Sequence, residues 1–346
     1  MPSAVLGAAS GFHCPLRMRV IFTVWKSPAF RNGSLAENAS AALRSGTLMM
    51  NTLPVRVVVG YSPGGLPDTI ARLIGQKLAE RWGQQILVEN KPGANGILGA
   101  EFVAKSAPDG YTLLMTDNST HAIIPFLFAK LPYDADRDLI PVSLTARAPL
   151  FLAVHPSVKA NSFQELIALI KAEPGKYSYG SSGIGSTHHL CMEYLKSSLG
   201  LEMTHVPYKG TGQSVPAVVG GQVPMVLSGY PTLAAHAKDG RVKLLAINSL
   251  KRSALAPDVP AIAETLPGFD FAPTFGLFAP GGTPREIIVK IGADVAQVVK
   301  LPDIVERMKN LGIEPLGLSG DEWAKLLKSD AERYAKAVKI SGAKVD

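Results

Sequence analysis

Residues 55–82 constrain the fold of this chain more than any other stretch, because they read as a strand, a turn and a helix. The run 55–59 is apolar apart from one arginine and is β-branched, which is typical of a buried strand. Glycine and proline interrupt it at 60–65, and apolar residues then recur at helical spacing over 70–78. Pro67 suits the first turn of a helix. The stretch therefore predicts an α/β unit.

The turn Tyr61–Gly65 has the composition of an anion-binding loop. Backbone N–H groups at the start of a helix attract anions, carboxylates included, and glycine lets a ligand approach them. A first hypothesis is therefore that this turn binds a small anion. The alternative is that its glycines only allow the strand and the helix to pack closely, because a single glycine-rich turn is a weak motif.

Length and charge narrow the classes of function. A chain of 346 residues suits one large domain or two of ordinary size. The formal net charge is +7; residues 1–50 hold five basic residues and one acidic residue, so the remainder carries about +3. No dense basic run with interleaved aromatic residues is present, so the sequence predicts no nucleic-acid binding. No apolar run is long enough to span a membrane.

Residues 1–51 differ in composition from the rest of the chain. They are rich in serine and alanine, poor in acidic residues and without periodicity. The apolar run 20–25 follows two arginines but is shorter than the roughly 7–15 residues of a secretory signal core. We interpret 1–51 as a disordered or degenerate targeting tail, or as translation upstream of a true start at Met49 or Met50.

Strand and helix patterns continue along the chain. Predicted strands occupy residues 85–90, 111–116, 150–154, 177–179, 223–227, 243–248 and 274–280. Predicted helices occupy residues 97–105, 163–171, 188–199, 302–311 and 321–339, and two more end near Val219 and begin at Pro284. Ser162 with Glu165 predicts a capping box, and Thr283 is the predicted cap before Pro284. Strands that alternate with helices indicate an α/β protein with mainly parallel sheets.

A second polar loop follows the predicted strand 177–179. Residues 180–187 are rich in serine and glycine and lead into the helix 188–199. Ligands of such sheets bind beyond the carboxyl ends of strands, so Tyr61–Gly65 and Thr116–Ser119 are expected at one sheet edge. Two α/β units that each offer an anion-binding loop predict two lobes facing across a ligand cleft.

No catalytic motif accompanies these loops. Ser181 and Ser182 lie outside any G-x-S-x-G nucleophile elbow. For His188, His189 and His205, a structural role or donation to a ligand is favoured over a catalytic base. The dinucleotide and Walker fingerprints are absent, and no Cys/His spacing matches a zinc site. The sequence therefore predicts no enzyme, no cofactor and no metal.

The chain resembles the Bug (TctC-like) family of extracytoplasmic solute receptors of tripartite tricarboxylate transporters. The matching stretches, in family order, are VRVVVGYSPGGLPDTIAR, GQQILVENKPGANGILGAEFVAKSAPDGYTLL, LPYDADRDLIPVS, YSYGSSGIGSTHHL, HVPYKGTGQSVPAVVGGQV, LAINSLKRSALAPDVPAIAET and FAPGGTPREII. They extend over roughly residues 54–340, and several long motifs in one order are more specific than a single turn. Asn95 stands where the family commonly has Gly, and Phe275 where it often has Trp.

The resemblance implies a two-lobed periplasmic binding protein fold of the type II, Venus-flytrap kind, each lobe a mainly parallel sheet flanked by helices. It implies lobe 1 at 52–150 plus 275–346 and lobe 2 at 151–274, after the tail 1–51. It also implies binding of a small carboxylate (a di- or tricarboxylate or an aromatic acid) in the interlobe cleft. The expected partners are that ligand and the membrane permease subunits of a tripartite tricarboxylate-type transporter, with a periplasmic, monomeric receptor.

The resemblance assigns ligand contacts to both lobes, through backbone amides, hydroxyls and ordered water rather than an arginine. In lobe 1 they are Tyr61, Ser62, Gly64, Gly65, Asp117, Asn118 and Ser119. In lobe 2 they are Ser181, Ser182, Gly183, Gly185, Ser186, His189, Tyr208, Lys209, Gly210 and Ser228. Asp68 is expected to support the first loop. Lys209 either neutralises a dicarboxylate or is a solvated lysine.

A second class of function stays open from the sequence. Without a clear export signal, the chain also fits a non-exported carboxylate-binding protein with a sensory or metabolic role, or an enzyme acting on a carboxylate. Turnover of a carboxylate would favour the enzyme, whereas binding without turnover would favour the receptor.

Overall fold

The computed structural model describes residues 53–344, which form one compact unit containing two β-sheets flanked by helices. The predicted tail 1–51 and its candidate start sites lie outside these residues. Within the described range, no helix combines the length and the hydropathy needed to cross a membrane.

The described residues contain eleven strands and twelve α-helices. The strands are β1 (Val55–Val59), β2 (Ile86–Asn90), β3 (Thr112–Asp117), β4 (Leu139–Arg147), β5 (Leu150–Val154), β6 (Tyr177–Ser181), β7 (Met203–Pro207), β8 (Met225–Gly229), β9 (Lys243–Ile247), β10 (Thr274–Pro280) and β11 (Glu314–Ser319). The helices are α1 (Leu66–Trp82), α2 (Ile97–Ala104), α3 (Ser119–Ala122), α4 (Ile124–Leu127), α5 (Ala135–Asp138), α6 (Phe163–Ala172), α7 (Thr187–Leu199), α8 (Thr211–Val219), α9 (Tyr230–Lys238), α10 (Arg285–Val298), α11 (Pro302–Asn310) and α12 (Gly320–Ser341). Short 3-10 turns lie at Ala94–Gly96 and Ile262–Glu264.

Both sheets mix parallel and antiparallel pairs. The first has the order β11-β4-β10-β3-β1-β2, and the second has the order β7-β6-β8-β5-β9. β1 is parallel to β2 and β3, whereas β10 lies antiparallel between β3 and β4. In the second sheet, β6 is parallel to β7 and β8, whereas β5 lies antiparallel between β8 and β9.

The predicted α/β class with two sheets is confirmed, but the prediction of mainly parallel sheets does not describe the pairing. Four of the five antiparallel pairs among the described strands have a common cause; the fifth joins the edge strand β11 to β4. β5 follows β4 of the first sheet, and β10 follows β9 of the second sheet. Each is the strand on which the chain enters the other sheet, and each is inserted between two strands that run in the opposite direction.

Three strands, β4, β7 and β11, were missed by sequence reasoning. Each contains a proline, at Pro141, Pro207 and Pro315, which cannot donate to a strand ladder and weakens the strand pattern. β7 and β11 are edge strands, where proline is tolerated. In β4, Pro141 lies beside a shift of register against β10.

The strand, turn and helix predicted at residues 55–82 are confirmed, with β1 leading into α1 and Pro67 in the first turn of that helix.

The predicted capping box at α6 is half correct. The Ser162 hydroxyl accepts a hydrogen bond from the Glu165 N–H (3.1 Å), as predicted. The Glu165 carboxylate, however, accepts from the Asn161 N–H (2.7 Å) and not from that of Ser162. The second hydrogen bond of the capping box is therefore made to Asn161, the residue before the cap, and not to Ser162.

The prediction that Thr283 caps a helix beginning at Pro284 is wrong by one position. α10 begins at Arg285, and Pro284 is the residue that precedes it. The Thr283 hydroxyl donates to the Pro280 carbonyl (2.7 Å), so this side chain closes the turn before the helix.

The last helix, α12, contacts the apolar cores of both sheets. Near its start, Trp323 is buried against Phe278 of the first sheet, with ring centroids 4.3 Å apart. Near its end, Tyr334 is buried in the core of the second sheet and meets Phe271 edge-on at 5.2 Å. The predicted lobe bounds, which give all of 275–346 to lobe 1, stay a prediction.

Close backbone contact fixes the loops beyond β1. A Cβ atom at Gly99 in α2 would lie 2.7 Å from the Gly60 Cα, and one at Gly60 would lie 3.0 Å from the Gly96 Cα. Gly96 also has a φ of 92°, which side chains rarely adopt. The turn Ala94–Gly96 is therefore held against the Tyr61 ring, whose Cζ is 3.4 Å from a Cβ placed on Gly96.

We predict that Gly99→Ala lowers the free energy of unfolding by about 1–3 kcal/mol, because the added methyl group overlaps Gly60. Gly212→Ala is the matched control, since Gly212 also lies in the first turn of a helix but has open space around its Cβ. The control should be neutral or stabilise by up to about 1 kcal/mol, because alanine is the better helix former. Urea denaturation measures both changes, and equal effects would contradict the close contact.

Candidate ligand-binding site

A small cavity lies where loops from the two sheets meet. Its volume is about 280 Å³. It is lined by Tyr61, Asn95, Asp117, Ser119, Ile123, Ile124, Leu127, Ser182, Gly183, Ile184, Gly185, Ser186, Thr187 and His188. A Cβ atom at Gly185 would lie 2.6 Å from Leu127 Cδ1, so the loop before α7 is in contact with α4. The cavity is thus closed by the chain segments that follow β1, β2, β3 and β6.

A larger concavity, about 460 Å³, lies elsewhere on the surface. Its lining runs from Pro125 to Asp138 and so comes from the segment between β3 and β4 alone. It opens broadly to solvent, whereas ligand sites of two-sheet proteins lie between the layers, beyond strand ends. The smaller cavity is therefore the candidate site.

Asp117, the last residue of β3, is the acidic group of the cavity. Its Oδ1 accepts hydrogen bonds from the Tyr61 hydroxyl (3.1 Å), from the Ser119 N–H (3.0 Å) and from the Ser119 hydroxyl. Burial raises the pKa of Asp117, and these donors act in the opposite direction by stabilising the ionised form. Burial, followed by the neighbouring Asp117 carboxylate, raises the pKa of Tyr61, so its hydroxyl remains a donor.

Asp68 fastens the turn Tyr61–Gly65 to α1. Its carboxylate accepts hydrogen bonds from the Gly64 N–H (2.9 Å), the Arg72 side chain (3.0 Å) and the Asn90 side chain (3.0 Å). Burial opposes ionisation of Asp68, but these donors outweigh it and lower its pKa. The Gly64 N–H is therefore engaged inside the chain, and of the described residues of this turn only Tyr61 lines the cavity.

The start of α7 forms the opposite wall of the cavity. Ser186 caps this helix by accepting a hydrogen bond from the His189 N–H (3.2 Å). The first N–H groups of a helix have no partner within it. Those of Thr187 and His188 also meet no acceptor among the described residues, and both residues line the cavity. Ser182 Oγ lies 2.8 Å from His188 Nδ1, and burial lowers the pKa of His188 to about 4.

A stack of rings lies behind this wall. The rings of His189 and His205 stack at 3.9 Å between centroids, and Tyr179 stacks on His205 at 5.0 Å. His189 Nδ1 accepts from the Gly185 N–H (3.1 Å), and His205 Nε2 lies 2.7 Å from Ser181 Oγ. Burial lowers the pKa of both histidines, that of His205 to about 4. The stacked rings are therefore neutral at pH 7 and hold the loop from behind.

The sequence-predicted contacts divide into two groups. Seven line the cavity, namely Tyr61, Asp117, Ser119, Ser182, Gly183, Gly185 and Ser186. Ten lie outside its lining, namely Ser62, Gly64, Gly65, Asn118, Ser181, His189, Tyr208, Lys209, Gly210 and Ser228. The second group includes buried side chains that bond within the protein: Asn118 donates to Asp330 (2.7 Å), and the Ser228 hydroxyl lies 2.9 Å from that of Thr232. Lys209 is exposed. Ligand contact by any of these residues stays a prediction.

Sequence reasoning did not assign seven of the lining residues as contacts, namely Asn95, Ile123, Ile124, Leu127, Ile184, Thr187 and His188. A signal existed for Asn95, because it follows β2, which is parallel to β1 and ends at the same sheet edge as Tyr61. No signal existed for Ile123, Ile124 and Leu127, because α4 and the residue before it are too short a segment to show periodicity. Phe275, the other departure from the family pattern, is buried in the core of the first sheet.

Two α/β sheets with a polar cavity at the ends of their strands define a binding protein for a small solute. The profile described as "Tripartite tricarboxylate transporter family receptor" matches residues 70–342. The chain therefore belongs to the tripartite tricarboxylate transporter receptor family, as the motifs predicted. Members of this family and the structural neighbours are solute-binding receptors and not enzymes.

Relatives support the same assignment. Protein BugT of Bordetella pertussis is 34% identical over 294 residues, which cover 84% of this chain and 90% of BugT. MatC from Rhodopseudomonas palustris, solved with bound malate, is 34% identical to this chain and has a TM-score of 0.69. The match covers 82% of this chain and 98% of MatC. A second R. palustris protein, solved with adipate, is 32% identical with a TM-score of 0.74, and the match covers 84% and 98% of the two chains.

We predict that acid weakens the fold through His205. Its pKa is about 4 in the folded protein against an ordinary value of 6.5, so between these values the unfolded chain binds more protons. The free energy of unfolding should therefore fall as the pH is lowered through this window. His205→Gln should make the fall smaller, because glutamine does not titrate.

Urea denaturation across the same pH window measures this effect. The control is His236→Gln in α9, a half-buried histidine outside the cavity, which should keep the full fall. The same pH dependence in wild type and both variants would contradict the role given to His205.

Proposed function

We propose that this protein captures a small carboxylate in the cavity between its two sheets and delivers it to the permease of a tripartite tricarboxylate-type transporter. The observation that carries the proposal is the start of α7, where Thr187 and His188 line the cavity and their N–H groups meet no acceptor among the described residues. A helix N-terminus attracts anions through these groups and its dipole. The solved relatives with adipate and malate, both carboxylates, support this ligand class.

Ser182 is the side chain proposed to add a further hydrogen bond to the ligand. Neutral His188 lies 2.8 Å from it through Nδ1. When Nδ1 carries the proton and donates to Ser182 Oγ, the hydroxyl proton of Ser182 is left for the ligand carboxylate. The pair therefore supplies a directed donor without adding a positive charge, in keeping with binding by amides and hydroxyls.

The proposed cycle uses lobe 1 (52–150 plus 275–346) and lobe 2 (151–274) as jaws that close on the ligand. The chain passes between the sheets twice, from β4 to β5 and from β9 to β10, and such crossings are where hinge motion is absorbed. In this proposal the receptor works in the periplasm, where it can meet a permease, and it works as a monomer. The names of related periplasmic proteins, such as periplasmic binding protein BugD, support this location.

We predict that Ser182→Ala weakens binding of a carboxylate by about tenfold or more, because the variant loses one hydrogen bond to a charged group. Isothermal titration with adipate and with malate measures the affinity. Ser178→Ala is the matched control, because Ser178 is a half-buried serine of β6, the strand just before Ser182, and lies outside the cavity lining. The control should bind like the wild type.

A screen of mono-, di- and aromatic carboxylates by thermal shift tests the ligand class as a whole. Ligand at 100 times its dissociation constant stabilises the fold by about 2.7 kcal/mol, which is readily visible. Absence of any shift at millimolar concentrations would contradict the proposed function. Equal affinities of the Ser182 and Ser178 variants would contradict the role given to Ser182.

A further inference from the structure

The cavity lining contains an acidic side chain but, among the described residues, no lysine or arginine. Its lining holds a carboxylate, Asp117, at the end of β3. No lysine or arginine is among the residues of 53–344 that line it. Its histidine, His188, is held neutral by burial. Asp117 is half-buried, and a carboxylate partly withdrawn from water without a cation beside it is costly, so this arrangement needs an explanation.

The hydrogen bonds of Asp117 leave one oxygen free. The donors from Tyr61 and Ser119 all meet Oδ1. Within the described chain no other residue donates to Oδ2. Three donors on one oxygen stabilise the ionised carboxylate and so oppose the rise in pKa that burial causes. The free oxygen is therefore an acceptor in the wall of the ligand cavity.

The two walls of the cavity have opposite polarity. The start of α7 presents unpaired N–H groups at Thr187 and His188, which suit an anion. The end of β3 presents the carboxylate of Asp117, which suits a cation or a strong N–H donor. A ligand with two carboxylates would have to bring one of them towards Asp117, where like charges repel.

We propose that Asp117 selects ligands that carry an ammonium group in addition to the carboxylate, so that the preferred solute is a zwitterionic amino-carboxylate. This inference rests on the proposed function, in which the carboxylate binds at the start of α7. The ammonium group donates to Asp117 Oδ2, and the two charges of the ligand are each matched by one wall of the cavity. Asp117 is then the residue that sets specificity.

The test uses three ligand series that differ at one end only. Each member has a carboxylate and a chain of one to six methylene groups, ended by an ammonium, a methyl or a second carboxylate group. With three methylene groups these are 4-aminobutanoate, pentanoate and glutarate. Isothermal titration with the full chain gives the affinity of each, for wild type and for Asp117→Asn. The amide oxygen of asparagine can still accept from Tyr61 and Ser119, whereas its NH₂ group replaces the free carboxylate oxygen with a donor.

Wild type should bind the ammonium series more tightly than the methyl and dicarboxylate series at the best chain length. Asp117→Asn should weaken binding of the ammonium ligand by about 10- to 100-fold, the range of a charge-assisted hydrogen bond. The same variant should bind the dicarboxylate of that length more tightly than wild type does. Asp239→Asn, which changes an exposed carboxylate after α9, is the control and should leave the order unchanged.

The outcomes separate this inference from the function on which it rests. Tightest binding of a dicarboxylate by wild type, with the order unchanged in Asp117→Asn, would overturn the role of Asp117 and leave the carboxylate receptor intact. That result would mean that Asp117 holds water or is protonated at the ligand. Absence of binding in all three series would count against the carboxylate receptor and therefore against both proposals. The circular dichroism spectrum of each variant confirms that it is folded.

Discussion

The candidate site depends on one half-buried carboxylate, Asp117, and the hydrogen bonds that it accepts. Tyr61 belongs to the loop after β1, and Ser119 begins the helix after β3, so their shared acceptor on Asp117 joins two neighbouring loops at one sheet edge. The close contact of Gly60 with Gly96 and Gly99 brings the loop after β2 to the same edge. One face of the cavity is thereby set before any ligand binds, which reduces the ordering cost of binding.

The opposite face is arranged by a different device, a set of neutral histidines. His189 and His205 stack behind the loop and bond to Gly185 and Ser181, whereas Ser186 caps α7. These bonds satisfy the polar groups of the loop that face inward. Thr187 and His188, at the start of α7, line the cavity, and their N–H groups meet no acceptor among the described residues. Polar residues that resemble ligand contacts, such as His189 and Ser181, thus hold in position the loop and helix that carry the lining residues.

Much of this architecture could be predicted from the sequence, because strand patterns, glycine turns and helix starts are local signals. The order of the strands could not, since the insertion of β10 between β3 and β4 joins residues far apart in sequence. The anion-binding turns show the same limit. Tyr61–Gly65 and the loop before α7 are alike in composition, but Asp68 and Asn90 engage the first turn internally. Which N–H group is free depends on side chains that composition does not reveal.

The most direct test of the account is a crystal structure of the protein grown with 4-aminobutanoate or, if that series does not bind, with adipate. The account predicts the ligand carboxylate about 3 Å from the N–H groups of Thr187 and His188, a hydrogen-bond distance. A ligand ammonium group should lie against Asp117. A carboxylate bound at the turn Tyr61–Gly65 instead, or outside the cavity, would contradict it.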